Sequence, residues 1–251
     1  CLLYNGTLYG VLHENTYTSG NTLRNNFIMR YSNKTAEKLF DKPVNHWYFS
    51  NEGIYYQINQ SIYLMDYNGN HSKLIIEIPD ELYSDSLFSE FVVYRGTIWY
   101  KNNSYSNSDD GMFWCYNFES KEFFKFNNGG DFAAINNGYL YLKKYKKSTG
   151  TTLWRFSVET FNMERVSDLP YQGVSFFNQN ILFQTEKEIY AISSTQTSKI
   201  FDNKKIDPDT YFSGISAKNG RIFVKGFIGA FNGRIMEIDL DGNVIKNICE
   251  Y

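Results

Sequence analysis

A chain of 251 residues with 25 Lys plus Arg against 27 Asp plus Glu has a formal charge of −2, a balance that gives no pull toward nucleic acid or an anionic membrane. No apolar run approaches the ~18 residues of a spanning helix, and the sequence shows no signal peptide, phosphate loop, dinucleotide fingerprint, G-x-S-x-G elbow or paired-His metal motif. Membrane insertion, a cofactor and a resident metal are therefore not expected. Cys1, Cys115 and Cys249 are too unevenly spaced for a disulfide framework or a zinc site.

In chain order, a tight turn followed by an aliphatic residue and usually an aromatic recurs six times. The copies are Asn5-Gly6-Thr7-Leu8-Tyr9, Asn51-Glu52-Gly53-Ile54-Tyr55, Arg95-Gly96-Thr97-Ile98-Trp99, Asn137-Gly138-Tyr139-Leu140-Tyr141, Gln179-Asn180-Ile181-Leu182 and Asn219-Gly220-Arg221-Ile222-Phe223. The interval between aliphatic anchors falls from 46 (54−8) to 41 (222−181). Short strands at a period of about 40–45 residues are the signature of propeller blades. The expected fold is all-β, a six-bladed β-propeller with four antiparallel strands per blade. One domain would span 1–251, with blades near 1–43, 44–87, 88–128, 129–169, 170–210 and 211–251.

Each unit carries four strand signals. A first strand precedes the anchor (Leu2-Leu3, then Trp47-Tyr48-Phe49 and its counterparts), and the second carries it. The third has an apolar column at Phe27, Ile62, Phe113, Leu153, Ile189 and Ile235. A short, charged fourth strand, such as Lys38-Leu39-Phe40 or Lys199-Ile200-Phe201, suits an exposed edge. Asn-Gly and Asp-Gly pairs supply the positive φ of tight hairpins. The spacing from second to third strand varies instead, from 8 (62−54) to 19 (27−8) residues. Long loops are therefore expected on one face, which becomes the expected working face, with the tight-turn face inert.

The runs Gly53-Ile54-Tyr55-Tyr56 with Ile62-Tyr63-Leu64-Met65-Asp66-Tyr67-Asn68-Gly69, and Gly220-Arg221-Ile222-Phe223 with Ile235-Met236-Glu237-Ile238-Asp239-Leu240-Asp241-Gly242, carry a resemblance. The chain resembles a bacterial family of six-bladed propellers of unknown function, similar to the YWTD propellers of low-density-lipoprotein receptors. No blade has the full Tyr-Trp-Thr-Asp run, so receptor-like ligand binding does not carry over. The resemblance implies a secreted or surface-displayed bacterial module, often part of a longer protein. Cys1 would suit the lipid-bearing residue of a lipoprotein, but Leu2-Leu3-Tyr4 enters the blade without the usual tether.

Few residues suggest chemistry. Asp66-x-Asn68-x-Asn70 and Asp239-x-Asp241-Gly242-Asn243 have the alternating oxygens of a calcium loop but coincide with hairpin turns and lack the closing Glu, so they read as turns. A polar column nine residues before the anchors, Asn45, Ser89, Asp131, Gln172 and Ser213, is expected to ring the channel mouth on the long-loop face. His46, Glu90 and Asp131 would there form an acid/base set for hydrolase or lyase chemistry on carbohydrate, the alternative to a non-catalytic module. The long loops offer Tyr17 and Arg24, then Asn102, Asn103, Tyr105, Asp109 and Asp110, then Lys143, Lys144, Tyr145, Lys146 and Lys147. An acidic loop beside a basic one, each with a Tyr, suits a protein or carbohydrate partner on an extracellular surface.

Overall fold

The computed structural model describes residues 2–18, 21–32, 35–83, 90–102, 112–126, 130–146, 150–193, 196–229 and 232–250. Within them the chain forms six four-stranded antiparallel sheets, each built from four consecutive strands, in a six-bladed β-propeller arrangement. Its contacts divide into two compact units, residues 1–129 and 130–251, with three sheets apiece.

In the first unit the sheets are β1 (Leu2–Tyr4), β2 (Thr7–Thr18), β3 (Asn21–Ser32) and β4 (Thr35–Lys38); β5 (His46–Phe49), β6 (Ile54–Ile58), β7 (Ser61–Met65) and β8 (Lys73–Glu77); and β9 (Glu90–Tyr94), β10 (Thr97–Asn102), β11 (Met112–Asn117) and β12 (Phe123–Phe126). The second unit holds β13 (Asp131–Asn136), β14 (Tyr139–Lys146), β15 (Gly150–Ser157) and β16 (Met163–Arg165). It continues with β17 (Gly173–Phe177), β18 (Asn180–Gln184), β19 (Glu188–Ile192) and β20 (Thr197–Asp202), then β21 (Thr210–Lys218), β22 (Arg221–Ile228), β23 (Asn232–Ile238) and β24 (Val244–Glu250). A 3₁₀ turn at Asn203–Lys205 is the one helical element among the described residues, and no helix is long and apolar enough to cross a membrane.

The aliphatic–aromatic pair works because neighbouring strand residues point to opposite faces of a sheet. Ile54 joins Tyr9 and Ile28 in the core against the preceding sheet, while Tyr55 joins Ile98 and Tyr100 against the following one. The second unit repeats this: Ile181 packs with Tyr141 and Leu153, and Leu182 with Ile222 and Val224. Each fully buried aliphatic contributes about 1.5–3 kcal/mol of transfer free energy. Leu8 is the exception at 40% exposed.

Two sequence expectations change. In the first sheet Phe27 pairs with Leu12, whereas Ile28 opposite Val11 holds the register that Ile62 holds opposite Gln57. The third-strand column therefore runs through Ile28, one residue along, and a one-residue slip exchanges sheet faces. The long second-to-third connections are also largely not loops. The β2–β3 ladder runs from Leu8↔Tyr31 out to Thr18↔Asn21, β14–β15 from Tyr139↔Ser157 to Lys146↔Gly150, and β22–β23 from Ile222↔Ile238 to Ile228↔Asn232. Extra residues pair with each other because exposed ladder groups are best satisfied by extending the hairpin. β-Formers such as Thr16, Tyr17 and Thr22 favour that choice.

The short turns follow their chemistry. Asn5, Arg95, Asn137 and Asn219 all have φ between 46° and 52° and each precedes a glycine of positive φ, as a two-residue hairpin with right-handed strands requires.

Candidate functional site

Of the residues expected at the channel mouth, Asn45 and Gln172 immediately precede β5 and β17 and Asp131 heads β13, whereas Ser213 is the fourth residue of β21. Asn45 is exposed, and its Oδ1 accepts the Asn59 backbone N–H at 2.7 Å, bracing the β6–β7 turn. Ser89 lies outside the described residues. In the second unit Asp131 heads β13 opposite Lys143, Gln172 is exposed and donates its N–H to the Gln184 carbonyl at 2.9 Å, and Ser213 sits exposed at a bulge between Phe212 and Gly214.

His46 and Glu90 head β5 and β9 in the first unit, paired with Gln57 and Lys101. Burial lowers the His46 imidazole to about 4. At neutral pH it has no proton to donate and is a weak base, far from the value that suits general acid–base work.

Tyr17 and Arg24 are strand residues of the extended β2–β3 hairpin, opposite Thr22 and Asn15. Asn102 ends β10 opposite Met112, while Asn103, Tyr105, Asp109, Asp110 and Lys147 lie outside the described residues. Lys143, Lys144, Tyr145 and Lys146 belong to β14 rather than to a loop. Alternation sorts them: Tyr145 is 63% exposed, and the Lys144 ammonium stands 5.0 Å from the centre of the Trp154 ring. Thr152 fixes that ring by accepting the indole N–H at 3.0 Å. A similar group occurs on β21–β22, where Tyr211 stacks on Phe227 at 5.7 Å and Lys225 lies 5.0 Å from that ring. Cation–aromatic pairs of this kind hold a flat apolar surface beside a charge.

The turn side is not featureless. Among the described residues, each unit has a cleft beside its first-to-second turns. That of the first unit, about 330 Å³, is bordered by Tyr48, Ser50, Glu52, Tyr94 and Arg95. That of the second unit, about 300 Å³, lies between β13–β16 and β17–β20 and is bordered by Tyr139, Tyr141, Arg155, Arg165 and Gln179. Arg155 pairs with Glu164, sits 4.9 Å from the Tyr139 ring and lies close enough to Tyr141 to oppose the upward push of burial on that hydroxyl. Sequence reading missed this cleft. Its one signal is a repeated trio, Tyr9–Arg30–Glu37 and Tyr141–Arg155–Glu164, placed side by side by equivalent ladders.

The calcium-like segments are turns. Asp66 Oδ1 accepts the backbone N–H groups of Asn68 and Asn70, each at 2.9 Å, and Oδ2 meets His71 Nδ1 at 2.9 Å. The His71 contact, then the amides, hold the Asp66 carboxyl below its ordinary range. Asp239 binds Asn243 in the same way. Among the described residues no group of three His, Cys, Asp or Glu is arranged to hold a metal. Burial pushes the Cys115 thiol up to about 12, leaving it inert, and Cys249 is exposed.

No family model and none of the curated proteins matches this chain. Solved structures do. Pyrococcus horikoshii acylaminoacyl peptidase aligns over 97% of this chain and 44% of its own, at 12% identity and a TM-score of 0.64. An acylaminoacyl peptidase in complex with Z-Gly-Gly-Phe-chloromethyl ketone aligns over 96% and 44%, at 11% identity and 0.62. The extracellular domain of a protein described as a hybrid two component system from B. thetaiotaomicron aligns over 90% and 33%, at 12% identity and 0.51. This chain thus spans less than half the length of each of these solved chains, and at such identities the likeness is one of fold: a six-bladed β-propeller.

Proposed function

We propose that this chain is a non-catalytic binding module of a secreted or cell-surface bacterial protein, one part of a longer chain, and that it meets a protein or glycan partner on the side where its hairpins run past their sheets. The observation that carries the reading is Tyr145, 63% exposed on β14 next to Lys144, itself held over Trp154. As strand neighbours the two point to opposite faces, so the extended hairpin offers a stacking ring on one face and an aromatic-held cation on the other. The likeness to an extracellular domain and the greater length of the solved neighbours are consistent with this setting. Kinship with the YWTD type rests only on runs such as Gly53-Ile54-Tyr55-Tyr56.

The test is binding of the purified chain to immobilised cell-surface glycans and to intact bacterial cells. Tyr145→Ala and Lys144→Ala should each weaken it, and binding unchanged in both variants sinks the reading. A hydrolase or lyase is the alternative, and it would show polysaccharide turnover that Glu90→Gln abolishes.

A further inference from the structure

Among the described residues, the cleft between β13–β16 and β17–β20 is lined by two arginines, Arg155 and Arg165, and by no carboxylate residue. Both arginines are neutralised from outside it. Arg155 is held by Glu164, whose side chain is 57% exposed, and Arg165 Nη1 meets Asp168 Oδ1 at 2.6 Å, with the Asp168 side chain 89% exposed. Ion pairs this wet contribute little, so a competing anion loses little by displacing Asp168. Ile181, Ile192 and the Tyr141 ring give the cleft an apolar floor. Asn136, Asn137 and Gln179 line it too, and each brings an amide side chain.

The first unit shows how the same trio looks when its gap is closed. Tyr9, Arg30 and Glu37 repeat the ladder positions of Tyr141, Arg155 and Glu164. There Tyr67 stacks on Tyr4 at 4.0 Å and lies 4.7 Å from Tyr9, the Tyr9 hydroxyl donates to the Tyr67 carbonyl at 3.1 Å, and Arg30 reaches Asn68. In the second unit Phe176 meets Tyr141 at 4.9 Å, but among the described residues lining the cleft no ring from the next sheet fills the space beside Arg155. Its first-unit counterpart beside Arg95, by contrast, carries a carboxylate, Glu52.

We propose that the cleft beside Arg155 and Arg165 is a second binding site, for a small organic carboxylate bearing hydroxyl or amide groups. The fork of Arg165 takes the carboxylate, the Arg155 charge adds attraction, and the side-chain amides take the polar groups. A volume near 300 Å³ admits one sugar ring or one terminal residue. This site lies on the turn side and is independent of the hairpin surface proposed above.

Calorimetric titration of the whole chain tests it with four probes: glucuronate, glucose, an N-acetyl dipeptide with a free C-terminus, and the same dipeptide amidated. At least one carboxylate should bind with Kd at or below ~1 mM and its neutral counterpart at least ~10-fold more weakly. Preference for glucuronate identifies an acidic sugar, and preference for the free dipeptide a chain terminus. Arg165→Gln should weaken binding by about 10-fold, and Asp168→Asn should tighten it by about 2–5-fold. Gln179→Ala, at an exposed turn, is the second weakening variant, and thermal melting checks that each variant folds. Absence of binding, equal binding of charged and neutral probes, or affinity untouched in both Arg165→Gln and Gln179→Ala overturns the proposal.

Discussion

The side-chain amide of Gln57 donates to the Tyr100 hydroxyl at 3.3 Å, a buried hydrogen bond between neighbouring sheets. Gln184 stands at the same ladder position one unit on, opposite Ile189 as Gln57 is opposite Ile62. The residue equivalent to Tyr100 there is Val224, two after its anchor, with no hydroxyl to offer. Gln184 is fully buried, and neither amide atom is hydrogen-bonded to any of the described residues. An unsatisfied buried amide costs about 1–3 kcal/mol. Gln57→Leu should accordingly destabilise by about 1–3 kcal/mol, whereas Gln184→Leu should be neutral or stabilising. Urea denaturation of both variants decides the point. A loss above ~1 kcal/mol in Gln184→Leu would show that the amide has a partner.

His46 sets a pH dependence of definite sign. Its folded value of about 4 lies below the ordinary 6.5, so the unfolded chain binds the proton first. Its contribution is complete above pH 6.5, falls as the pH drops, and is gone by about pH 4. The slope should be worth about 1–3 kcal/mol, allowing for partial exposure of the ring. His46→Gln should flatten the stability profile between pH 6.5 and 4.5, and chemical denaturation across that range reads it directly. An unchanged profile would place the imidazole in water.

Gly242 and Gly220 share a positive φ, 75° and 72°, yet they should respond differently to alanine. A Cβ on Gly242 would fall 1.6 Å from the Ile200 carbonyl oxygen, and the Gly242 carbonyl accepts the Lys205 ammonium at 2.8 Å. A Cβ on Gly220 meets nothing within 4 Å. Gly220→Ala should cost about 1 kcal/mol, the left-handed backbone alone, and Gly242→Ala more than ~3 kcal/mol. Equal midpoints in guanidinium would refute the distinction.

Calcium offers a further check. The Asp66 and Asp239 oxygens are already occupied by turn amides, His71 and Asn243. Adding calcium or a chelator should leave the melting temperature unchanged. A rise on adding calcium, lost in Asp66→Asn, would turn these turns back into ion sites.

How much of this was legible depended on the distance each feature reaches. Anchors such as Ile54 and Ile222 and turns such as Asn137-Gly138 are local, so alternation and turn chemistry give six four-stranded blades. Phe27 against Ile28 was harder, because two adjacent apolar residues both fit until the ladder partner is known. Lys143 to Lys146 looked like loop because spacing alone cannot separate a loop from a longer hairpin. The cleft was out of reach: Arg155 and Arg165 become a pair only once Gln179, Ile181 and Ile192 of the next sheet close around them. Gln184 likewise gave no sign of its missing partner, since that absence lies in Val224.

Every ladder joins strands adjacent in the chain. The entropy of loop closure is thus met in small instalments, and each sheet can zip from its own stretch without waiting for remote segments. A lengthened hairpin, such as β2–β3, then changes the silhouette of one blade while the register of the others stays untouched. Such a scaffold can vary its outward tips over many generations without renegotiating its interior.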